Sequence, residues 1–307
     1  MDEEVNELFQ AQAHLYKHIF SFLRSMSVKS LPIHATKVNC VHRLMCMLVH
    51  SGFFATATKL HGDKEEKVYV LTPSKVLLKD QANCLFPFVL AMFDPALMTP
   101  WQFLGDWMKG EKLTAFQSVH GMGFWDYMDQ NPESKNFFHE AMASDSQMMN
   151  LVVRDCKPVF EGLNSLVDVG GGTFPHVVAN LLESSGNLKF LALDMFESIP
   201  SADGILQKLV LRAFGDEDCI KILKRCREAI KSKGGGKGII IDIVINEKKD
   251  EHELTEAKLY FDMLMMALAS GRERYEKDWE RLFMEAGFSH YKVRPIFDLR
   301  SLIEVYP

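Results

Sequence analysis

The apolar run Leu166-Val167-Asp168-Val169 ends abruptly in Gly170-Gly171-Gly172-Thr173, and a helical stretch, Pro175–Glu183, comes next. A strand that stops in glycines before a helix is the ligand-cradling turn of doubly wound sheets. Glycine lets the backbone approach a bound molecule, and the helix start offers free N–H groups. The alternation continues beyond it. Leu188–Leu193 reads as a strand ending in Asp194-Met195-Phe196, Ile205–Leu211 as another, and Asp216–Ser232 as a helix with Cys219, Ile222, Leu223, Cys226 and Ile230 on one side. Gly234-Gly235-Gly236 leads into an apolar strand, Ile239–Ile245, followed by helices over Glu253–Leu268 and Glu276–Ala286. His290–Pro295 and Ser301–Tyr306 close the chain as an antiparallel pair at a sheet edge. The pattern predicts an α/β domain whose largely parallel sheet is covered on both faces. Its ligands would sit near Gly170, Asp194 and the residues after Leu211, where strands end.

The first half has a different texture. Val5, Leu8, Phe9, Gln12, Leu15, Tyr16, Ile19 and Phe22 form one stripe of an amphipathic helix. A second helix fits Val38–Ser51, with Gly52 as its C-cap. Phe53–Thr58 and Lys67–Leu71 then read as two strands joined by the charged turn His61–Glu66. Helix then hairpin is the outline of a winged-helix module, which raises the question of DNA. Residues 31–80 carry seven Lys and Arg against four Asp and Glu, a thin balance for a module that would contact about six or more phosphates. Leu44, Met45, Met47 and Leu48 also make the second helix a core or interface element, so no nucleic-acid partner is expected. Residues 85–150 continue as aromatic-rich helices punctuated by Pro95, Pro100 and Pro132. Most of those rings form a core, but some, with Met142, Met148 and Met149, suit an apolar pocket for a planar ligand.

Composition narrows the setting. With 307 residues, 35 Lys and Arg against 41 Asp and Glu, and a net charge of −6, the chain is an ordinary globular protein of about two domains. The start, MDEEVNE, is acidic where a leader would be basic. The longest charge-free apolar stretch, around Cys84–Phe93, falls well short of the roughly 18–20 residues of a membrane span. Six scattered cysteines without a C-x-x-C pair read as reduced, mostly buried thiols, with no metal or disulfide framework. A cytoplasmic location follows, with no membrane partner.

Five strings carry a resemblance: Leu166 to Thr173, Asp194-Met195-Phe196-Glu197-Ser198-Ile199-Pro200, Gly287 to Lys292, Gly123-Phe124-Trp125-Asp126-Tyr127, and Ala141-Met142-Ala143-Ser144-Asp145-Ser146. Together they resemble plant S-adenosylmethionine-dependent O-methyltransferases of the isoflavone and resveratrol type, over nearly the whole chain. The resemblance implies a Rossmann-like methyltransferase domain over 151–307 and a mainly helical, winged-helix-like dimerisation region over 1–85. Between them, 86–150 would be a helical connection that contributes to the acceptor pocket. The cofactor would be S-adenosyl-L-methionine, with Gly170 at its amino-acid end, Asp194 and Met195 at its adenosine part and Lys208 beside it. The acceptor would be a small phenolic, and the assembly a homodimer or a heterodimer with a paralogue. Asp242 and Glu273 match the acidic residues that hold the family's catalytic histidine.

That histidine is replaced. Where relatives have Lys-Trp-x-Leu-His-Asp-Trp, this chain has Lys208-Leu209-Val210-Leu211-Arg212-Ala213-Phe214. A guanidinium does not accept a proton at neutral pH, so Arg212 stands at the position of the base without its chemistry. The sequence also shortens. Thr173 runs straight into Phe174-Pro175-His176, leaving about one βα unit fewer than the family pattern before Asp194. Spacing alone would make Asp194, about 20 residues past the glycines, the ribose-gripping acid; the resemblance assigns it to the adenosine part and leaves the ribose acid without a counterpart. A further gap falls near Ser30. The losses suggest a decayed paralogue or an incompletely spliced gene, with marginal stability as a consequence. The function expected is methyl transfer to a phenolic hydroxyl; the alternative is an impaired or inactive paralogue acting as a dimer partner.

Overall fold

A computed structural model describes residues 38–61, 64–72, 85–171, 195–230, 235–246, 250–296 and 299–307. The expected helix over 5–22, the helix Pro175–Glu183, the strand Leu188–Leu193 and Asp194 lie outside these residues.

Helix α1 (Val38–His50) ends where Gly52 turns into the left-handed region at φ 72°. Strands β1 (Phe54–His61) and β2 (Lys64–Leu71) pair antiparallel, from Phe54↔Leu71 to His61↔Lys64. The hairpin is longer than the hydrophobic pattern predicts. Lys59 and Glu65 in the extension are exposed, so their charge carries no burial penalty and the backbone ladder runs on past them. His42 Nδ1 and Tyr69 Oη, 3.0 Å apart, tie α1 to β2.

The helical middle follows its prolines. Asp94 caps α3 (Pro95–Gln102), its carboxylate accepting from Ala96 N at 2.9 Å with Pro95 at the first helical position. Before it runs α2 (Phe86–Ala91) and after it the short α4 (Leu104–Trp107). Then come α5 (Ala115–His120), α6 (Phe124–Gln130), the long α7 (Pro132–Asp155), which begins on Pro132, and α8 (Lys157–Phe160).

The second half builds a five-stranded sheet from β3 (Leu166–Asp168), β4 (Gly204–Lys208), β5 (Lys237–Asp242), β8 (His290–Ile296) and β9 (Arg300–Tyr306). The strand order is β3-β4-β5-β9-β8. β3, β4 and β5 run parallel, β9 is antiparallel to β5, and β8 is the antiparallel edge expected from the closing residues. Alternation along the strands divides two cores. Val167, Ile205, Ile240 and Ile303 face α9 (Asp216–Ala229) and α11 (Glu276–Ala286), packing on Cys219, Ile222, Leu223, Trp279 and Phe283. Leu166, Leu206, Ile239, Ile241 and Leu302 face the other way, onto Cys156, Val159 and Phe160. Among the described cysteines, Cys156, Cys219 and Cys226 are buried, whereas Cys40 and Cys46 are exposed on α1, so burial is less general than composition suggests.

Two strands break earlier than the apolar pattern predicts, and both breaks shape the site. The run 205–211 leaves the sheet after Lys208, because Leu209 adopts φ +54° and Leu211–Ala213 coil into a 3₁₀ turn. A positive φ is costly for a branched residue and marks a locally forced backbone. The run 239–245 breaks at Ile243, whose N–H is taken by the Asp242 carboxylate at 2.9 Å. Past the break, β6 (Val244–Ile245) pairs in parallel with β7 (Arg274–Tyr275), after the helix α10 (His252–Leu268).

Candidate active site

The ends of β3, β4 and β5 open into a cavity of about 520 Å³ shared with the helical middle. One end holds the glycine turn: Asp168, Gly170 and Gly171, with Met195, Phe196, Lys208 and Phe214. Gly170 has φ +80°, and a Cβ there would lie 2.6 Å from the Val210 side chain. At Gly171 a Cβ would meet Asp168 Oδ2 at 2.1 Å. Gly170 therefore needs glycine by conformation and by space, and Gly171 by space. Phe196 and Phe214 meet edge to face at 5.5 Å beside them. The other end is apolar, lined by Phe88, Met92, Phe124, Trp125, Phe138 and Met142 from the helices and by Phe261 and Leu264 from α10. Of the aromatics predicted for such a pocket, Phe124, Trp125 and Phe138 reach it.

Lys208 is no solvated strand end. Its Nζ lies 2.7 Å from Asp145 Oδ2 and donates to Ser146 Oγ at 3.1 Å. Asp145, fully buried on α7, also accepts from Arg300 Nη2 at the start of β9. Burial alone would raise the Asp145 carboxyl, but the two cations reverse this and hold it well below the usual range. Burial lowers Lys208, against the pull of Asp145. Two consecutive residues of the Ala141–Ser146 string thus latch the helical half onto the sheet. Nothing in the local pattern marks Arg300 as the third member, because it lies 155 residues away.

Asp168, beside Lys208, is pushed up to about 6 by burial, against the opposing pull of the lysine, and its Oδ1 has no hydrogen-bond partner. The unfolded carboxyl keeps its ordinary 3.8. Between those values the folded chain holds a proton that the unfolded chain has lost. Stability therefore falls as pH rises through that window, and the cost is complete above about 6. Asp168→Asn carries no such charge, so in urea melts the variant should gain on the wild type between about pH 4 and about pH 7. A difference that stays constant across the range would refute this reading of Asp168.

Arg212 sits in the 3₁₀ turn and lines the cavity, 6% exposed. Its guanidinium lies 4.9 Å from the centre of the Phe261 ring, and Nη2 pairs with Glu273 Oε1. Glu273 and Asp242, the two acids predicted to flank this position, are both buried beside it. Burial raises both carboxyls, Glu273 to about 8, while Arg212 pulls each of them down. Glu273 does not pair with Arg272 or Arg274. Those arginines hold Asp216 instead: Arg274 Nη2 at 2.8 Å and Arg272 Nη2 at 2.9 Å, with Arg281 on the same carboxylate. Arg274 also donates to the Leu211 and Phe214 carbonyls at 3.0 and 2.9 Å, which pins the turn that carries Arg212. Gly271 backs the same turn so closely that a Cβ would lie 1.9 Å from the Arg212 carbonyl.

Among the described residues no histidine lines the cavity. His120 is engaged elsewhere, its Nε2–H donating to the Ala96 carbonyl at 2.9 Å and its ring packed on Phe116 and Tyr127. His139 lies beside Phe138. The structure thus brings Gly170, Met195, Lys208 and Arg212 to one cavity and sets Asp242 and Glu273 behind its wall; Asp194 lies outside the described residues.

The family model described as an O-methyltransferase domain matches residues 101–180 and 174–289. A trans-resveratrol di-O-methyltransferase of Vitis vinifera is 46% identical over 348 residues, covering 98% of this chain and 97% of the relative. The chain belongs to the O-methyltransferase family. An isoflavone-7-O-methyltransferase of Medicago sativa is 43% identical over 349 residues, again covering 98% and 97%. Both alignments exceed the 307 residues of the chain, so these family members carry segments that have no counterpart here. The family model likewise matches in two pieces that meet at 174–180, where the sequence pattern is short of a βα unit. Among solved structures, a methyltransferase of calicheamicin biosynthesis shares the fold at a TM-score of 0.71 and 20% identity, covering 97% of this chain and 95% of the other. Human N-acetylserotonin methyltransferase does so at 0.66 and 16%, covering 98% and 94%.

Proposed function

We propose that this chain transfers a methyl group from S-adenosyl-L-methionine to an oxygen of a small phenolic acceptor. The observation that carries this is the single cavity, with a glycine cradle at one end and an aromatic and methionine pocket at the other. The residues present fit the cofactor: Gly170 and Gly171 leave no room for side chains, Asp168 Oδ1 is buried without a partner, and two aromatic rings stand beside them. Gly170, Met195 and Lys208 would hold it, with Asp194 at its adenosine part. Bound there, it would supply an electrophilic methyl group.

The chain's own residues do the rest. Phe124, Trp125, Phe138 and Met142 would sandwich a planar acceptor and exclude water, so that its oxygen is held for attack rather than having to find its geometry. Lys208, anchored by Asp145, keeps the helical wall closed on the sheet. Arg212 faces the acceptor's oxygen, and Asp242 and Glu273 position it from behind.

Residues 1–85 would form the dimerisation region, 86–150 the acceptor wall and 151–307 the cofactor domain, in a homodimer or a heterodimer with a paralogue. The apolar Met47 and Tyr69, exposed on α1 and β2, support such a use of the first region. Among the described residues no helix is long and apolar enough to cross a membrane, which supports a cytoplasmic enzyme. The second reading is an impaired paralogue serving as a dimer partner, and its motive is Arg212 at the position that the resemblance gives to a histidine.

Calorimetric titration with S-adenosylmethionine, repeated with S-adenosylhomocysteine, separates the two. Dissociation constants of about 1–10 μM are expected. No heat from a folded, dimeric protein would reject the transferase and favour the partner.

A further inference from the structure

Resting on the methyl-transfer reading above, we infer that Arg212 makes this site select acceptors that arrive as oxyanions: acidic phenols and aryl carboxylates, bound with the charged oxygen against the guanidinium. Arg212 lines the cavity, is more than nine-tenths buried, and its Nε and Nη2 make no hydrogen bond, although Nη2 lies in ion-pair contact with Glu273. A buried guanidinium with unmade donors is an unmet demand for acceptor oxygens, and charge-assisted bonds to anions meet it best.

The surrounding charges leave that demand unmet. From β5 comes Asp242, from the segment entering β7 Glu273 and Arg274, and from α10 the Phe261 ring and Asp262, whose carboxylate is occupied with Glu273 N at 2.8 Å. Arg300 acts on Asp242 from β9. Burial raises the Glu273 carboxyl, to about 8, and raises Asp242 as well, which weakens the charge that both acids set against Arg212. Arg212 shares its cavity with the apolar Phe124, Trp125, Phe138 and Leu264, among which an anion's attraction is weakly screened.

The chemistry follows from the missing base. A neutral phenol must lose a proton as its oxygen bonds to carbon, and among the described residues no histidine lines the cavity to take it. An acceptor that is already an anion brings the electron pair with it. Its oxygen forms the O–CH₃ bond, the C–S bond of the sulfonium donor breaks with its pair remaining on sulfur, and the products are an aryl methyl ether or methyl ester and a neutral thioether. No proton moves.

The probes are 4-nitrophenol, 4-methylphenol and 4-methylbenzoate, matched in shape and offered to the full chain with S-adenosylhomocysteine present and absent. Nitrophenolate and 4-methylbenzoate are expected to bind at least about tenfold more tightly than 4-methylphenol, a difference equal to one unit of ionisation. Bound nitrophenol should show the visible absorbance of its anion at pH values where the free probe is largely neutral. Arg212→Gln should erase the preference and the spectral shift, and Arg212→Lys should keep most of both. Equal binding of the three probes to the wild type, or a bound nitrophenol that stays neutral, overturns the proposal without need of a variant. A preference for 4-methylbenzoate alone, with nitrophenol bound neutral, likewise overturns it, because the guanidinium would then draw no phenolate. Binding of S-adenosylhomocysteine is read in the same titrations, so its failure would remove the transferase reading while leaving the anion site tested on its own.

Discussion

Asp145→Ala should be the most destabilising single change in the described part of the molecule. The carboxylate is fully buried and holds two cations, Lys208 at 2.7 Å and Arg300 in closer contact still. Removing it leaves two positive charges facing each other in a dry interior. Breaking a buried ion pair from one side costs about 3–5 kcal/mol, because the survivor has no solvent to turn to. A domain stable by about 5–15 kcal/mol loses at least about a fifth of its stability, and a shortened sheet has little in reserve. Urea denaturation should show the midpoint falling sharply at nearly unchanged slope. Asp145→Asn, which keeps the shape and one acceptor oxygen, should lose less. The loss should persist through mild acid, since the cations hold this carboxyl ionised well below the usual range. It is lost only as pH falls through that depressed value. If Asp145→Ala melts within about 1 kcal/mol of the wild type, the latch contributes little, and the helical wall is held by apolar packing alone.

The latch shows where reading from sequence stops. Ile239–Ile241 in a sheet, the amphipathic helix Asp216–Ala229 and the closing antiparallel pair are legible because burial on one or both faces imposes its period on local sequence. The glycine turn is legible for the same kind of reason: at Gly170 and Gly171 a side chain has no room. What the pattern misses is set by contacts between distant segments. Lys208 reads equally well as a solvated strand end until α7 brings Asp145 against it. Glu273 has an arginine on either side in sequence, yet pairs with Arg212, because Asp216 claims both neighbours. The strand through Leu211 looks continuous because Leu209, Val210 and Leu211 are all apolar; its break depends on a backbone conformation that hydrophobicity does not encode. The family strings fared differently. Ser144-Asp145-Ser146 stood out as a resemblance, and the structure supplies its physical reason, since Asp145 and Ser146 are the contacts of Lys208.

Arg212→His should raise kcat on neutral phenols by about 10²–10⁴-fold, the usual worth of a positioned general base. The setting for an imidazole is already built. The 3₁₀ turn is fixed by Arg274 through the Leu211 and Phe214 carbonyls and backed by Gly271, none of which involves the Arg212 side chain. Glu273 and Asp242 stand behind the position, where one ring nitrogen could donate to a carboxylate and leave the other facing the acceptor. Loss of the guanidinium's contact with Phe261 is the main packing cost, and the smaller ring adds room rather than strain. The pH profile distinguishes the two forms. With histidine, the rate on a neutral phenol should fall as pH drops through the imidazole's ionisation, near 6.5 and shifted upward by whichever neighbouring acid is charged. The wild type, with Arg212 in place of a titrating imidazole, should follow the acceptor's own ionisation, so its rate on 4-nitrophenol rises with the fraction of phenolate. A variant that binds S-adenosylhomocysteine yet turns over neutral phenols no faster than the wild type would mean that the base was not the decisive loss. The deficit would then lie in the segments that this chain lacks beside its longer relatives.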